Sequence, residues 1–170
     1  LNCFLIEDAC HALGASYKTK SKVERIGSCK NVDISTFSLH PLKSITAGEG
    51  GIVTTRNKNL AYKIKLYRSH GMIKKKNHWN YDVYYNGFNF RLSDLNCALA
   101  YSQIKKLKKF IKKRKEIYDE YYKNLNDFKD NCKILKFEKS TFPSYHLVFL
   151  QIDFKKLKKN KENLIKLLLK

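Results

Sequence analysis

The sequence predicts an α/β fold with a mixed sheet, followed after about residue 126 by the beginning of a second α/β unit. Three observations carry this prediction: a continuous apolar run at Leu1–Ile6, a short Gly-rich connection between two further strand patterns, and helix-spaced apolar residues after Ser93. The chain has 170 residues, of which 43% are hydrophobic, and this is enough to bury a sizeable core.

The first part of the chain carries strand and loop patterns. Leu1–Ile6 is apolar throughout, which is typical of a strand buried on both faces of a parallel sheet. Ala9–Ala15 is rich in small residues and predicts a short helix, and the polar, Lys-rich Tyr17–Ser28 predicts an exposed hairpin or loop. Asp33–Leu39 and Gly51–Thr55 predict two strands. We expect this pair to be antiparallel, because a parallel crossover needs about a dozen residues or more.

The middle of the chain is mainly helical. Asn57–Ser69 predicts a helix, whereas His70–Phe90, crowded with Tyr and Asn, predicts a long irregular loop of the kind that is usually functional or forms an interface. Ser93 is placed to cap a long helix that extends to about Leu125 and links two domains.

The last part of the chain predicts a second, unfinished unit with a strand at Tyr145–Ile152 and a helix at Leu157–Leu169. The first residue is Leu rather than Met, and the final helical pattern stops without a terminating Gly or Asn. We therefore expect a fragment. Its residues 1–110 form the C-terminal part of a large domain, and residues 111–170 form a linking helix and an incomplete small domain.

The net charge of +20 would ordinarily favour a nucleic-acid partner. The excess is nearly all Lys, spread along helix faces such as residues 105–113, whereas base readout and phosphate forks favour Arg. We interpret these lysines as a solvated surface and expect no nucleic-acid partner. A basic nucleic-acid-binding module is kept as an alternative function.

The five cysteines lack the C-x-x-C spacing of a zinc or thioredoxin-like redox centre, so we predict reduced thiols in a cytoplasmic protein and no metal site. No apolar run approaches the roughly 20 residues of a membrane span, and no membrane partner is expected.

Asp8 and Lys43 together indicate a candidate catalytic site. Asp8 and Lys43 each follow a predicted strand, and open α/β sheets bind ligands at the carboxyl ends of their strands. If the two strands are neighbours, both side chains face one site. An amine that forms a Schiff base and an acid that pairs with a pyridinium nitrogen are the two protein groups that pyridoxal phosphate requires.

Several ordered blocks resemble the DegT/StrS-type sugar-nucleotide aminotransferases, a family of fold-type-I pyridoxal-phosphate enzymes. The match extends to about Arg114, with a fainter similarity at residues 144–147. The blocks are Glu7-Asp8-Ala9-Cys10-His11-Ala12-Leu13-Gly14-Ala15, Phe37-Ser38-Leu39-His40-Pro41-Leu42-Lys43, Gly48-Glu49-Gly50-Gly51, Arg68-Ser69-His70-Gly71, Gly87-Phe88-Asn89-Phe90-Arg91-Leu92-Ser93-Asp94 and Ala98-Leu99-Ala100-Tyr101-Ser102-Gln103-Ile104.

The resemblance implies a partial large domain with a mixed, mostly parallel sheet, the start of a small domain, and a homodimer with a shared active site. Lys43 would hold the cofactor covalently and later move a proton, and Asp8 would pair with the ring nitrogen. His11 would contact the ring oxygen, Ser38 the phosphate, and Asn89 the phosphate of the other subunit. His40 and Arg91 are further candidates for contacts with the substrate or at the interface.

The implied reaction takes an amino group from a donor, usually glutamate, to a keto-sugar nucleotide. The sequence around Lys43 is most similar to the branch that aminates UDP-linked 4-keto-6-deoxy-hexosamines for surface sugars. A dehydratase of the same fold is the nearest alternative, and Lys43 argues against it because that enzyme carries His there. A catalytically silent, ligand-sensing relative is a further alternative, against which the intact Asp8 and Lys43 also argue.

Overall fold

The computed structural model describes residues 3–75 and 79–169. In chain order the elements are β1 (Ile6–Asp8), β2 (Ser16–Lys18), β3 (Val23–Arg25), β4 (Ile34–Ser38), β5 (Gly51–Thr54), α1 (Lys58–Arg68), β6 (Met72–Lys74), β7 (Tyr81–Val83), α2 (Asp94–Ile104), α3 (Leu107–Asn124), β8 (Cys132–Ile134), β9 (Thr141–Phe142), β10 (Leu150–Ile152) and α4 (Lys161–Leu168). The chain is therefore α/β, as predicted.

A three-stranded sheet in the order β1-β4-β5 carries the first part of the fold. β1 runs parallel to β4, with Asp8 opposite Thr36, and β4 runs antiparallel to β5, with Ser38 opposite Gly51. The sheet is mixed and the antiparallel pair is confirmed, but the expectation of a mostly parallel sheet is wrong for the described residues. Short connections account for the difference, since they can join only antiparallel neighbours.

The first strand differs from its prediction. It begins at Ile6 and ends with Asp8, and the preceding residues are held by a bond from the Leu5 N–H to the Asp33 carboxylate, 2.8 Å long. Phe4 and Ile6 are 73% and 67% exposed, so burial on both faces is wrong for this chain. Among the described residues, β4 is the one strand that pairs with β1. Leu1 and Asn2 of the predicted strand lie outside the described residues.

The core is centred on the loop that follows β4. Leu39, Ile45 and Ala47 are at most 2% exposed and form one cluster. Partly buried residues pack against this cluster from β5, α2, α3 and the connecting segments: Leu13, Ile52, Leu92, Ala100, Leu107 and Phe110. The loop is therefore fixed by apolar contacts with several elements, although its sequence forms no regular element.

Helices α1 to α3 follow the prediction with one change. Asn57 caps α1 and Ser93 caps α2, as their positions before the helical patterns indicate. The single long helix expected from Ser93 to about Leu125 is two helices, because the α-helical hydrogen bonding is interrupted at the turn Lys105–Lys106. There the Lys106 N–H donates to the Gln103 carbonyl, a tighter turn than that of an α-helix.

Hairpins form most of the remaining structure. β2 and β3 form the exposed hairpin predicted within Tyr17–Ser28, and β9 joins it through β2. The predicted irregular loop His70–Phe90 contains an antiparallel pair, β6 and β7, apart from residues 76–78, which lie outside the described residues.

Three further boundaries need correction. Ala9–Ala15 forms two successive turns rather than a helix, because Gly14 adopts a positive φ of 86° that ends helical geometry. The predicted strand Tyr145–Ile152 is reduced to β10, which pairs with β8, since Tyr145 itself has a φ of 51°. The last helix begins at Lys161, capped by the Asn160 side chain, and not at Leu157. None of the described helices is long and apolar enough to cross a membrane.

Candidate active site

Asp8 is the last residue of β1 and remains exposed at the carboxyl edge of the sheet. Its carboxylate accepts a hydrogen bond from the Cys10 N–H, 3.1 Å long. Hydrogen bonds from the Cys10 side chain and main chain lower the pKa of Asp8, assisted by the charges of His11 and Lys43, while desolvation opposes them. The carboxylate is therefore negatively charged at neutral pH.

Lys43 lies in the loop after β4, five positions beyond Ser38 in the chain. Its N–H donates to the His40 carbonyl over 2.9 Å, and the residues that follow it, Ser44 and Ile45, are buried. The charge of Lys43 makes a small contribution to the pKa of Asp8 and of His146, lowering both. The strands β1 and β4, which position Asp8 and Lys43, are neighbours.

The loop that carries Lys43 is closed by hydrogen bonds at its base. The Leu39 N–H donates to the Gly50 carbonyl over 2.8 Å, and the Leu39 carbonyl accepts from the Ala47 N–H and the Thr46 hydroxyl. The Asn96 side chain of α2 donates to the Ala47 carbonyl. Because both ends are fixed and the centre is buried, the backbone of Lys43 is held in one place.

Ser38 and His40 lie between the strand and Lys43. The Ser38 hydroxyl oxygen accepts from the His40 N–H at 3.3 Å, which leaves the hydroxyl proton available to an anion. The His40 Nδ1 atom accepts from the Leu42 N–H, and its Nε2 atom lies 3.8 Å from the exposed Glu49 carboxylate. Ser38 thus lies at the sheet edge, and His40 makes hydrogen bonds that help to shape the loop.

A cavity of about 200 Å³ lies beside Asp8. His11 lines it and contacts His146, with 4.6 Å between the ring centroids. The buried Ser144 hydroxyl donates to the His11 carbonyl over 2.7 Å. Lys43 lies outside the lining of this cavity.

Sequence reasoning did not single out Ser144 or His146 as site residues. The one available signal was the faint similarity of the block that contains them, and spacing along the chain could not connect it to His11, 133 residues before Ser144. Burial, with the positive charges of His11, Arg114 and Lys43, lowers the pKa of His146, so its imidazole is neutral at neutral pH. The buried Nδ1 atom of His146 has no hydrogen-bond partner.

The structure does not bring Asn89 and Arg91 into this cavity. Asn89 pairs with Ser69 in an isolated β-bridge and is exposed. Arg91 lines a separate cavity of about 500 Å³ with Glu49 and Gly50, just beyond the Lys43 loop. A contact of Asn89 with the other subunit stays a prediction.

The described residues hold no cluster of three or more His, Cys, Asp or Glu side chains that could bind a metal ion. The groups at the sheet edge suit pyridoxal phosphate instead. They comprise an anionic acid, a neighbouring lysine and a hydroxyl with a free proton, which match the ring nitrogen, aldehyde and phosphate of that cofactor.

An acid and a lysine at the carboxyl edge of neighbouring strands define an α/β protein of the pyridoxal-phosphate class. The chain belongs to the DegT/DnrJ/EryC1/StrS aminotransferase family, whose model matches residues 1–170. Aminotransferases of this family use pyridoxal phosphate.

Individual relatives support this family assignment. The UDP-4-amino-4,6-dideoxy-N-acetyl-beta-L-altrosamine transaminase of Campylobacter jejuni is 45% identical over 149 residues, which cover 86% of this chain and 38% of that protein. The solved structure of Helicobacter pylori PseC, an aminotransferase involved in the biosynthesis of pseudoaminic acid, is 33% identical with a TM-score of 0.78, covering 94% of this chain and 40% of that one.

A third similarity concerns the cofactor. The PMP-form of Spr1654, a putative sugar aminotransferase from Streptococcus pneumoniae, is 25% identical with a TM-score of 0.75, covering 87% of this chain and 36% of that one. The chain thus spans about two fifths of the length of the relatives that it matches.

Proposed function

We propose that this chain carries the cofactor-anchoring centre of a pyridoxal-phosphate-dependent aminotransferase that acts on a keto-sugar nucleotide. The observation that carries the proposal is the position of Asp8 at the end of β1 and of Lys43 in the loop that follows β4, since β1 and β4 are parallel neighbours. Membership of the family supports it.

In this proposal residues 1–110 belong to the cofactor-binding large domain, and residues 111–170 form the linking helix and the beginning of the small domain. Two copies of the protein share the site, and Asn89 acts across the interface between them. Arg91 and His40 are kept as candidates for the interface or the substrate. The start of helix α3 at Leu107, close to this division, supports it.

The cofactor, when bound, supplies an electron-accepting ring and an aldehyde carbon. Lys43 would hold the cofactor covalently through its amine, and once released this amine would accept and return a proton at the substrate. Asp8 would favour a protonated ring nitrogen, because an opposite charge stabilises the cationic form. The Ser38 hydroxyl would donate to the phosphate, and His11 would contact the ring oxygen.

The proposed substrate is a UDP-linked 4-keto-6-deoxy-hexosamine, with glutamate as the amino donor, for the synthesis of a surface polysaccharide or glycoprotein sugar. The name and the identity of the Campylobacter jejuni transaminase support the choice of sugar. A cytoplasmic location belongs to the same proposal and is supported by the five cysteines, all of which are free thiols.

The test is a visible absorption spectrum of the intact protein that carries this chain, with pyridoxal phosphate, before and after glutamate. We expect a band of the lysine-bound cofactor that glutamate converts to the pyridoxamine form. Lys43→Ala should abolish the band, and Lys58→Ala, at the exposed start of α1, should leave it unchanged. A folded protein that gives no band with the cofactor would contradict the proposal.

A further inference from the structure

The segment around His146 contacts the turn that carries His11 in two ways. The rings of His146 and His11 pack at 4.6 Å between centroids, tilted by 59°. Two residues earlier, the Ser144 hydroxyl donates to the His11 carbonyl over 2.7 Å. One contact fixes the main chain of His11 and the other contacts its side chain.

The segment is itself anchored. The Arg114 guanidinium on α3 donates to the His146 carbonyl over 3.2 Å, and Ser144 is only 2% exposed. Tyr145, between the two contacts, has a φ of 51°, a left-handed conformation that turns the chain sharply. Ser144 and His146 therefore reach His11 from a fixed backbone.

Within the described part of the chain, the buried Nδ1 atom of His146 has no hydrogen-bond partner, and the contact recognised for its ring is the packing against His11. Burial and the nearby positive charges keep the imidazole neutral, and a neutral ring can pack against His11 without charge repulsion. His11 has no such burial and remains exposed except where it is contacted.

We propose that His146 and Ser144 are positioning residues, which hold the His11 imidazole and backbone against the site of the cofactor ring. This inference rests on the proposed function, in which His11 contacts the ring oxygen. A fixed His11 donor would favour the cofactor form in which that oxygen carries full negative charge. The packing of the aromatic ring, rather than a nitrogen atom of His146, supplies the effect.

The experiment compares His146→Ala, His146→Phe and Ser144→Ala in the intact protein, with His70→Ala as a control for the loss of an imidazole that does not line this cavity. The first readout is the pH midpoint of the visible band of the bound cofactor. We expect His146→Ala to raise it by roughly 0.7 of a pH unit, the size set by one ordinary hydrogen bond. His146→Phe keeps an aromatic ring, and its pH midpoint should stay near that of the unchanged protein. Ser144→Ala, which removes less volume, should move the midpoint in the same direction.

The second readout needs no cofactor. In the cofactor-free protein, the ring-proton NMR signals of His11 should shift in His146→Ala, and not in His70→Ala. A His146→Phe variant that behaves like His146→Ala would overturn the positioning role in favour of the nitrogen. A band whose midpoint is the same in all the variants would overturn it altogether, whereas the absence of any band in the unchanged protein would contradict the proposed function instead.

Discussion

The turn that follows Asp8 favours its negative charge. The hydrogen bonds from Cys10 lower the pKa of the carboxyl group, so Asp8 stays ionised throughout the neutral range. Asp8→Asn keeps the size of the side chain and removes the charge. An opposite charge next to a titrating group changes its pKa by about 1–3 units. The pKa of the ring nitrogen of the bound cofactor should therefore be about 1–3 units lower in the variant.

Protonation of the ring nitrogen can be followed by ¹⁵N NMR of labelled cofactor, together with the rate of amino transfer, which should fall with it. Asp119→Asn is a matched control, because Asp119 lies on α3, away from β1, and forms an ion pair with the exposed Lys115. A ring nitrogen that titrates alike in both variants would remove Asp8 from the proposed site.

His146 gives a prediction about pH and stability. Burial, with the surrounding positive charges, lowers its pKa in the folded protein below the unfolded value of about 6.5. Below that pH the unfolded chain binds a proton that the folded chain resists. The stabilising contribution is therefore complete above about pH 6.5, and it is lost as the pH falls.

We expect His146→Phe to flatten this dependence. The measurement is the free energy of unfolding in urea at about pH 5 and about pH 7.5, for the unchanged protein and for the variant. The variant should lose less stability at the acidic pH. Equal losses in the two proteins would show that His146 keeps its ordinary pKa in the folded state.

The sequence alone could predict that Asp8 and Lys43 follow strand patterns at one edge of a sheet, because parallel neighbours bring their carboxyl ends together. It could not identify Ser144 and His146 in the same way. Their contacts with His11 depend on how α3 and the hairpin strand β9 return the chain to the first turn. No periodic pattern in the sequence predicts such a long-range contact.

Among the elements, those with strong local signals were predicted best. Helix α1 begins where Asn57 supplies a cap, and its carboxamide oxygen accepts from the Asn59 and Leu60 N–H groups at 2.9 and 3.2 Å. Asn57→Ala should lower the free energy of unfolding by about 1 kcal/mol, the usual contribution of such a cap.

Urea denaturation measures this change, and Asn59→Ala offers a matched control two positions into the helix. Asn59 is exposed, and its side chain accepts none of the hydrogen bonds that cap the helix. Because Ala has the higher helix propensity, the control should be neutral or slightly stabilising. A loss in Asn59→Ala as large as in Asn57→Ala would mean that the cap contributes nothing specific.

The β6–β7 hairpin was missed because its determinants are backbone contacts. Gly71 has a φ of 66°, and a Cβ atom there would lie 2.0 Å from the Tyr85 carbonyl oxygen. A Cβ atom at Gly87 would lie 2.2 Å from the Gly71 nitrogen, which is also too close. Two glycines thus allow the ends of the hairpin to touch, but the intervening sequence has no alternation of apolar and polar residues that predicts strands.

At the scale of the whole molecule, the charge of +20 raises the question of nucleic acid. Lysines on α3 such as Lys113 and Lys115 are exposed and pair with carboxylates on the same helix, which is typical of a solvated face. We expect duplex DNA to bind no more tightly than the non-specific range, with a Kd of roughly 10⁻⁶ M or weaker at physiological salt.

Fluorescence anisotropy with labelled duplex and single-stranded DNA at several salt concentrations tests this expectation. Any binding should stay weak at every salt concentration and fall only gradually as salt is added, because few phosphates are neutralised in fixed positions. Nanomolar affinity at physiological salt would instead support the nucleic-acid-binding alternative and count against a purely solvated surface.

The return of the chain to its first turn has a consequence for the newborn protein. Ser144 must leave the ribosome before it can meet His11, which was made 133 residues earlier. At the usual speed of translation, about 5–20 residues per second, this delay is roughly 7–27 seconds. During that time the turn beside Asp8 lacks its hydrogen bond from Ser144. A chaperone, or a cofactor molecule that arrives before folding is complete, would therefore meet an open form that the finished protein no longer has.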